Sequence, residues 1–119
     1  MKAALVISHG SRSSKTKEEV AALIRKIKKR SSITIIEYAF LELESPDIST
    51  GIGRCIDKGA TDILIMLNFL NAGRHVDQNV PAIIRKTREK FPSVKIKISK
   101  PIGQHKGIVD LFVDSIQSA

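Results

Sequence analysis

Three side chains able to bind a metal ion or to move a proton, His9, Glu42 and His75, stand 33 positions apart in turn. A neutral imidazole offers a nitrogen lone pair to cobalt, nickel, iron or zinc, and a nearby carboxylate completes an N/O ligand set. Two imidazoles and one carboxylate make a labile site with open positions, whereas a closed structural zinc site wants four ligands and usually thiolates. Imidazole as a group, with an unperturbed pKa of about 6.5, can also accept protons near neutral pH. Each residue also has a plainer role. A lone His after a strand is most often a turn or cap residue, Glu42 serves equally as a solvated loop acid, and Glu44 reads as one. Ser8-His9-Gly10-Ser11 lacks the Gly spacing and Lys of a phosphate-cradling Walker loop. It also lacks the Gly-x-Ser-x-Gly of a nucleophile elbow.

A spacing of 33 residues is about one βα unit, and the chain alternates strand and helix four times. Ala3–Ile7 reads as a buried strand, and Ser13 or Ser14 can cap the helix that follows. In that helix Val20, Leu23, Ile24 and Ile27 recur at helical spacing. The β-branched run Ile33–Tyr38 predicts the second strand. Ser45-Pro46-Asp47 supplies a capping Ser, a Pro for the first helical position and an early acid. Ile48, Ile52, Cys55 and Ile56 give that helix its apolar face, and Gly59 can end it. Asp62–Leu67 is the third strand. A long loop, Asn68 to Asn79, precedes a helix with Ile83, Ile84, Thr87 and Phe91 on one face, closed by Pro92. Val94–Ile98 is the fourth strand. Ile108, Leu111, Phe112 and Ile116 mark a last amphipathic helix, with His105 in or near its first turn.

Nearly continuous apolar strands with intervening helices mean a parallel sheet covered on both faces. Right-handed crossovers make it a doubly wound, flavodoxin-like α/β unit of four mainly parallel strands, in the expected order 2-1-3-4. Ligands of such sheets bind beyond the carboxyl ends of the strands, where the strand order reverses. All three histidines follow the end of a strand, so His9, Glu42 and His75 fall on that edge.

The bulk properties narrow the partners. The 119 residues suit one domain, 1–119. A net charge of +8 draws anionic partners: nucleic acid, an anionic membrane or a polycarboxylate. The run Arg25, Lys26, Lys28, Lys29, Arg30 reads as a solvated helix C-terminus complementing the helix dipole. Trp is absent and aromatics are 4% of residues, too few for a stacking platform on single-stranded nucleic acid. Cys55 is the only cysteine, so one chain makes neither a disulfide nor a multi-Cys metal site; it reads as a small core residue. No segment is long enough for a membrane span or a signal-peptide core, and the expectation is a cytoplasmic protein with no nucleic-acid or membrane partner.

Leu5-Val6-Ile7-Ser8-His9-Gly10-Ser11-Arg12, Phe40-Leu41-Glu42 with Ser45-Pro46, Gly73-Arg74-His75-Val76 with Pro81, and Gly103-Gln104-His105 resemble, in this order and spacing, the motifs of the class II chelatases. The likeness is strongest to the short sirohydrochlorin cobaltochelatases and covers most of the chain. Two positions depart from the family pattern: Asn79 stands where Asp is common, and Gln104 where Pro is. The resemblance implies a chelatase half-domain that pairs as a homodimer. The implied activity is insertion of a divalent metal, Co²⁺ first and Ni²⁺ or Fe²⁺ as alternatives, into the polycarboxylate tetrapyrrole sirohydrochlorin. The metal is then substrate, and no cofactor is held permanently. His9 and His75 would be the metal-binding and proton-accepting pair, with Glu42 assisting. Arg12 and Arg74, beside the two histidines, are candidate carboxylate clamps, since guanidinium forks bind carboxylate bidentately. The main-chain N–H groups of Gly10 and Ser11 at a helix entrance could meet an anion. A metal carrier or a non-catalytic tetrapyrrole-binding protein is the competing expectation.

Overall fold

The computed structural model describes residues 1–119, apart from the side chains of His75 and Val76. Its four strands are β1 (Lys2–Ser8), β2 (Ile35–Phe40), β3 (Asp62–Leu67) and β4 (Lys95–Pro101). They form one sheet in the order β2-β1-β3-β4, every pair parallel. The helices are α1 (Ser14–Arg30), α2 (Ile48–Asp57), α3 (Val80–Lys90) and α4 (Ile108–Gln117). A π turn, His75–Asn79, leads into α3, and a 3-10 turn, Ile102–Gln104, follows β4.

Strand alternation sorts the core into two layers. Ala3, Leu5 and Ile7 of β1 pack with Ile63, Ile65 and Leu67 of β3 beneath α2 and α3, which contribute Ile48, Ile52, Cys55, Val80 and Ile84. Ala4 and Val6 face the other way and pack with Ile36 and Phe40 under Val20 and Ile24 of α1. Helices therefore lie on both faces, as the strand pattern requires. The coverage is unequal, because no residue of α4 is buried.

Local chemistry sets the helix limits. Ser13 caps α1 by accepting from Lys15 N–H. Gly59, at a φ of +102°, ends α2. Its N–H bonds the Ile56 carbonyl while Ala60 N–H reaches Cys55, the paired bonds of a Schellman closure. Three sequence expectations move. The α2 cap is Asp47, which accepts from Thr50 N–H at 2.8 Å, while Ser45 and Pro46 lie before the helix across a cis peptide bond. Pro46 is instead tied to the sheet, its carbonyl accepting from Phe40 N–H. β2 begins at Ile35 and not Ile33, because Ser31 Oγ takes the Ile33 N–H in the turn that closes α1. β4 runs on to Pro101, past the expected Ile98, through an irregularity in its register with β3 between Ile65 and Leu67.

Candidate functional site

The strand order reverses between β1 and β3, and the carboxyl edge there opens into a cleft of about 450 Å³. Ser8, His9 and Gly10 line it from β1, Asn68 from β3, and Thr16, Glu19 and Leu23 from α1. The loops after β1 and β2 are joined by a continuation of the sheet. Leu41 N–H donates to the Ser8 carbonyl at 2.9 Å, and Glu42 N–H to the His9 carbonyl at 3.0 Å. This close approach requires Gly10. Its φ is +102°, and a Cβ there would lie 1.8 Å from the Glu42 carbonyl oxygen.

The two side chains meet as a result. His9 Nε2 lies 3.0 Å from Glu42 Oε1, with both groups about half exposed. His9 Nδ1 lies 3.2 Å from the Gly10 carbonyl. Each ring nitrogen thus faces an oxygen acceptor, so an imidazole that takes up a second proton has a partner for both N–H groups. A neutral ring can instead turn its Nε2 lone pair, next to the carboxylate, toward an incoming cation. On β3, Asn68 anchors the other wall: its N–H donates to the Ile7 carbonyl at 2.8 Å and its Nδ2 to Ser8 Oγ at 3.0 Å.

Of the other sequence candidates, Ser11 spends its hydroxyl on Ser13 N–H at 3.1 Å, and Gly10 and Ser11 precede the α1 cap. Arg12 and Arg74 are exposed, and neither takes an ion pair among the described residues. The His75 side chain lies outside the described residues; its backbone opens the π turn beyond β3. Among the described residues no three His, Cys, Asp or Glu gather as a metal site. His105 does not line the cleft. Its Nδ1 accepts from Gly107 N–H at 2.9 Å, shaping the turn before α4 and not α4's first turn. Glu44 is not the solvated acid its sequence suggests. The chain reverses at Leu43, at a φ of +69°, and leaves Glu44 half-buried with Oε2 out of water and without a hydrogen bond among the described residues. Sequence reading missed Thr16, Glu19 and Asn68. Asn68 was within reach, as the first residue past β3, but the i, i+3 pair on α1 faces the cleft only once the crossover is known.

A larger cavity, about 580 Å³, opens at the amino ends of β1, β3 and β4 between Lys2, Asp62, Lys95 and Lys97. It lies at the opposite end of the sheet from the His9–Glu42 pair. In doubly wound sheets the carboxyl edge is where ligands bind, so the smaller cleft is the candidate site.

Fold and site together define a doubly wound α/β domain with an imidazole–carboxylate pair at its topological switch point. The chain belongs to the CbiX family, whose sequence model matches residues 3–119. It is 37% identical over 116 residues to a sirohydrochlorin ferrochelatase of Priestia megaterium, an alignment covering 98% of this chain and 44% of the relative. It is 29% identical over 115 residues to a sirohydrochlorin cobaltochelatase of Sulfolobus acidocaldarius, covering 97% of this chain and 89% of the relative. Its fold superposes with a TM-score of 0.89 on the sirohydrochlorin chelatase SirB of Bacillus subtilis subspecies spizizenii in complex with cobalt. That match is 32% identical and covers 98% of this chain and 50% of the other. The chain thus spans less than half the length of the first of these relatives and most of the length of the second.

Proposed function

We propose that this domain inserts a divalent metal ion into sirohydrochlorin, working as a pair of identical chains with their clefts facing. The observation that carries the reading is the His9–Glu42 pair, held at 3.0 Å beside a cleft at the switch point of a CbiX-family domain. Metal insertion replaces two pyrrole N–H bonds by nitrogen–metal bonds and releases two protons. The protein must therefore present the cation to the macrocycle and accept the protons it releases.

His9 can do either. As a base it takes a pyrrole proton at one ring nitrogen, and Glu42 holds the resulting imidazolium through Nε2–H···Oε1. As a ligand it offers Nε2 to the ion, with Glu42 as the adjoining oxygen donor. His75, from the loop beyond β3, supplies the second imidazole in this scheme. Arg12 and Arg74 bind the substrate's carboxylates, and the amides of Gly10 and Ser11 meet one more. The net charge of +8 favours such a polyanion at long range. Cobalt is the favoured ion by the likeness of the motifs to cobaltochelatases; iron is supported by the ferrochelatase of Priestia megaterium among the relatives, and nickel shares the ligand preferences.

The test is to mix purified protein with metal-free sirohydrochlorin and Co²⁺, Ni²⁺ or Fe²⁺ under anaerobic conditions and follow the visible spectrum. Insertion faster than without protein is the expected result, and the three rates rank the metals. Tight binding of metal or macrocycle with no acceleration would replace the enzyme by a carrier or sensor on the same fold.

A further inference from the structure

Ser8 and Thr87 are the two buried polar side chains among the described residues. A buried hydroxyl is costly unless it is hydrogen-bonded. Thr87 meets that need locally, donating to the Ile83 carbonyl one turn back in α3 at 2.9 Å. Ser8 meets it across the sheet: Asn68 Nδ2 donates to Ser8 Oγ at 3.0 Å, from 60 residues away in sequence. Each of the two follows the apolar run of its strand, residues 3–7 in β1 and 63–67 in β3. The side-chain bond falls where the register of the two strands ends, at Ile7 and Leu67, and Asn68 N–H continues the ladder by one rung to the Ile7 carbonyl. On its other side Ser8 is held by the loop after β2, its carbonyl accepting from Leu41 N–H. Ser8 is thus tied to both neighbouring strands immediately before His9.

We propose that Asn68 and Ser8 are positioning residues for the His9 imidazole. This rests on the reading of His9 as the proton-accepting or metal-binding group, and says what holds it in place. The contact with the β2 loop sets His9 beside Glu42. By itself it leaves the end of β1 free to swing away from β3. The Asn68–Ser8 bond removes that freedom and fixes the strand end from the β3 side. The chain runs from Asn68 to His75 in seven residues, so the same bond joins the two loops that carry the imidazoles. Reacting groups displaced by about 1 Å can lose about 100-fold in rate. The sheet itself does not require the pair. Ser8→Ala with Asn68→Leu would extend both apolar runs and leave no buried hydroxyl without a partner. A polar pair where an apolar one serves the sheet equally well points to the placement of the next residue, His9.

The test compares wild type, Asn68→Leu, Ser8→Ala and the double variant. The readouts are Co²⁺ insertion kinetics, thermal unfolding, and the nuclear Overhauser contact between the His9 ring and the Glu42 side chain. Asn68→Leu alone orphans the Ser8 hydroxyl and should lower the melting temperature, whereas the double variant should melt close to wild type. In all three variants kcat should fall about tenfold or more, with KM for the macrocycle little changed. The loss in the double variant should not exceed the larger single loss, because the same bond is removed each time. The His9–Glu42 contact should weaken in the double variant. A double variant with wild-type kcat, or with that contact at full strength, makes the pair a stability device and overturns the proposal. Single losses that multiply in the double variant overturn the tie between the two residues. A raised KM with unchanged kcat makes Asn68 a substrate contact instead. If wild type itself does not accelerate insertion, the functional reading fails, while the Overhauser contact still decides the positioning.

Discussion

At the scale of single residues, chemistry depends on two loops touching, and Gly10 is where they touch. Gly10→Ala forces a Cβ toward the Glu42 carbonyl from a left-handed backbone, a cost of about 1–3 kcal/mol. Thermal unfolding should show the loss, and insertion activity should fall with it. Glu42→Gln keeps the shape but removes the carboxylate that holds the His9 imidazolium. Its kcat should drop on the order of 100-fold, while the fold and the macrocycle affinity stay close to wild type. Cys55 is the contrasting case: fully buried, its thiol is pushed up to about 11 by desolvation, with the Glu37 charge adding to the effect. Native protein at pH 8 should therefore react slowly with iodoacetamide and react fast once unfolded. His9, Glu42 and Gly10 were legible as candidates because motif and strand end coincide. Glu44 was not, since its burial follows from the reversed backbone at Leu43, which no residue type announces.

Elements were legible wherever two signals agreed. β1, β3 and α1 combine a clear apolar pattern with a cap or a turn, and they lie close to their expected positions. α2 shows what happens when signals compete. Ser45-Pro46-Asp47 holds two capping residues, and the helix takes the second because Pro46 is committed to the end of β2. Asp47→Ala should cost about 1 kcal/mol by unfolding at pH 7. The Thr50 hydroxyl, and then the Thr50 N–H, hold the Asp47 carboxyl below its ordinary value. A carboxyl lowered in the folded state stabilises above its ordinary pKa and loses that contribution as pH falls through the lowered value. The cost of Asp47→Ala should therefore shrink in acid, and equal stabilities of variant and wild type at pH 7 would remove the cap from the account. α4 was read correctly as amphipathic, yet the pattern of one chain could not say that its apolar face is left uncovered by that chain.

At the scale of the whole molecule, chirality and apolar strands call for a doubly wound parallel sheet, and the observed order 2-1-3-4 places the switch point at the cleft that His9 and Asn68 line. The charge of +8 acts at this scale too. Screening shortens from about 10 Å in 0.1 M salt to about 3 Å in 1 M, so added salt should raise KM for the macrocycle with little change in kcat. A KM independent of salt would take the net charge out of substrate capture. We propose that the His9 edge of this domain performs metal insertion. The most direct test is the initial rate of Co²⁺ entry into sirohydrochlorin with wild type, with His9→Ala and with no protein, at one pH near neutrality. The wild-type rate is expected to lie well above the uncatalysed one, and the His9→Ala rate to be lower by about two orders of magnitude or more. Wild type and folded His9→Ala inserting the metal at the same rate would contradict it.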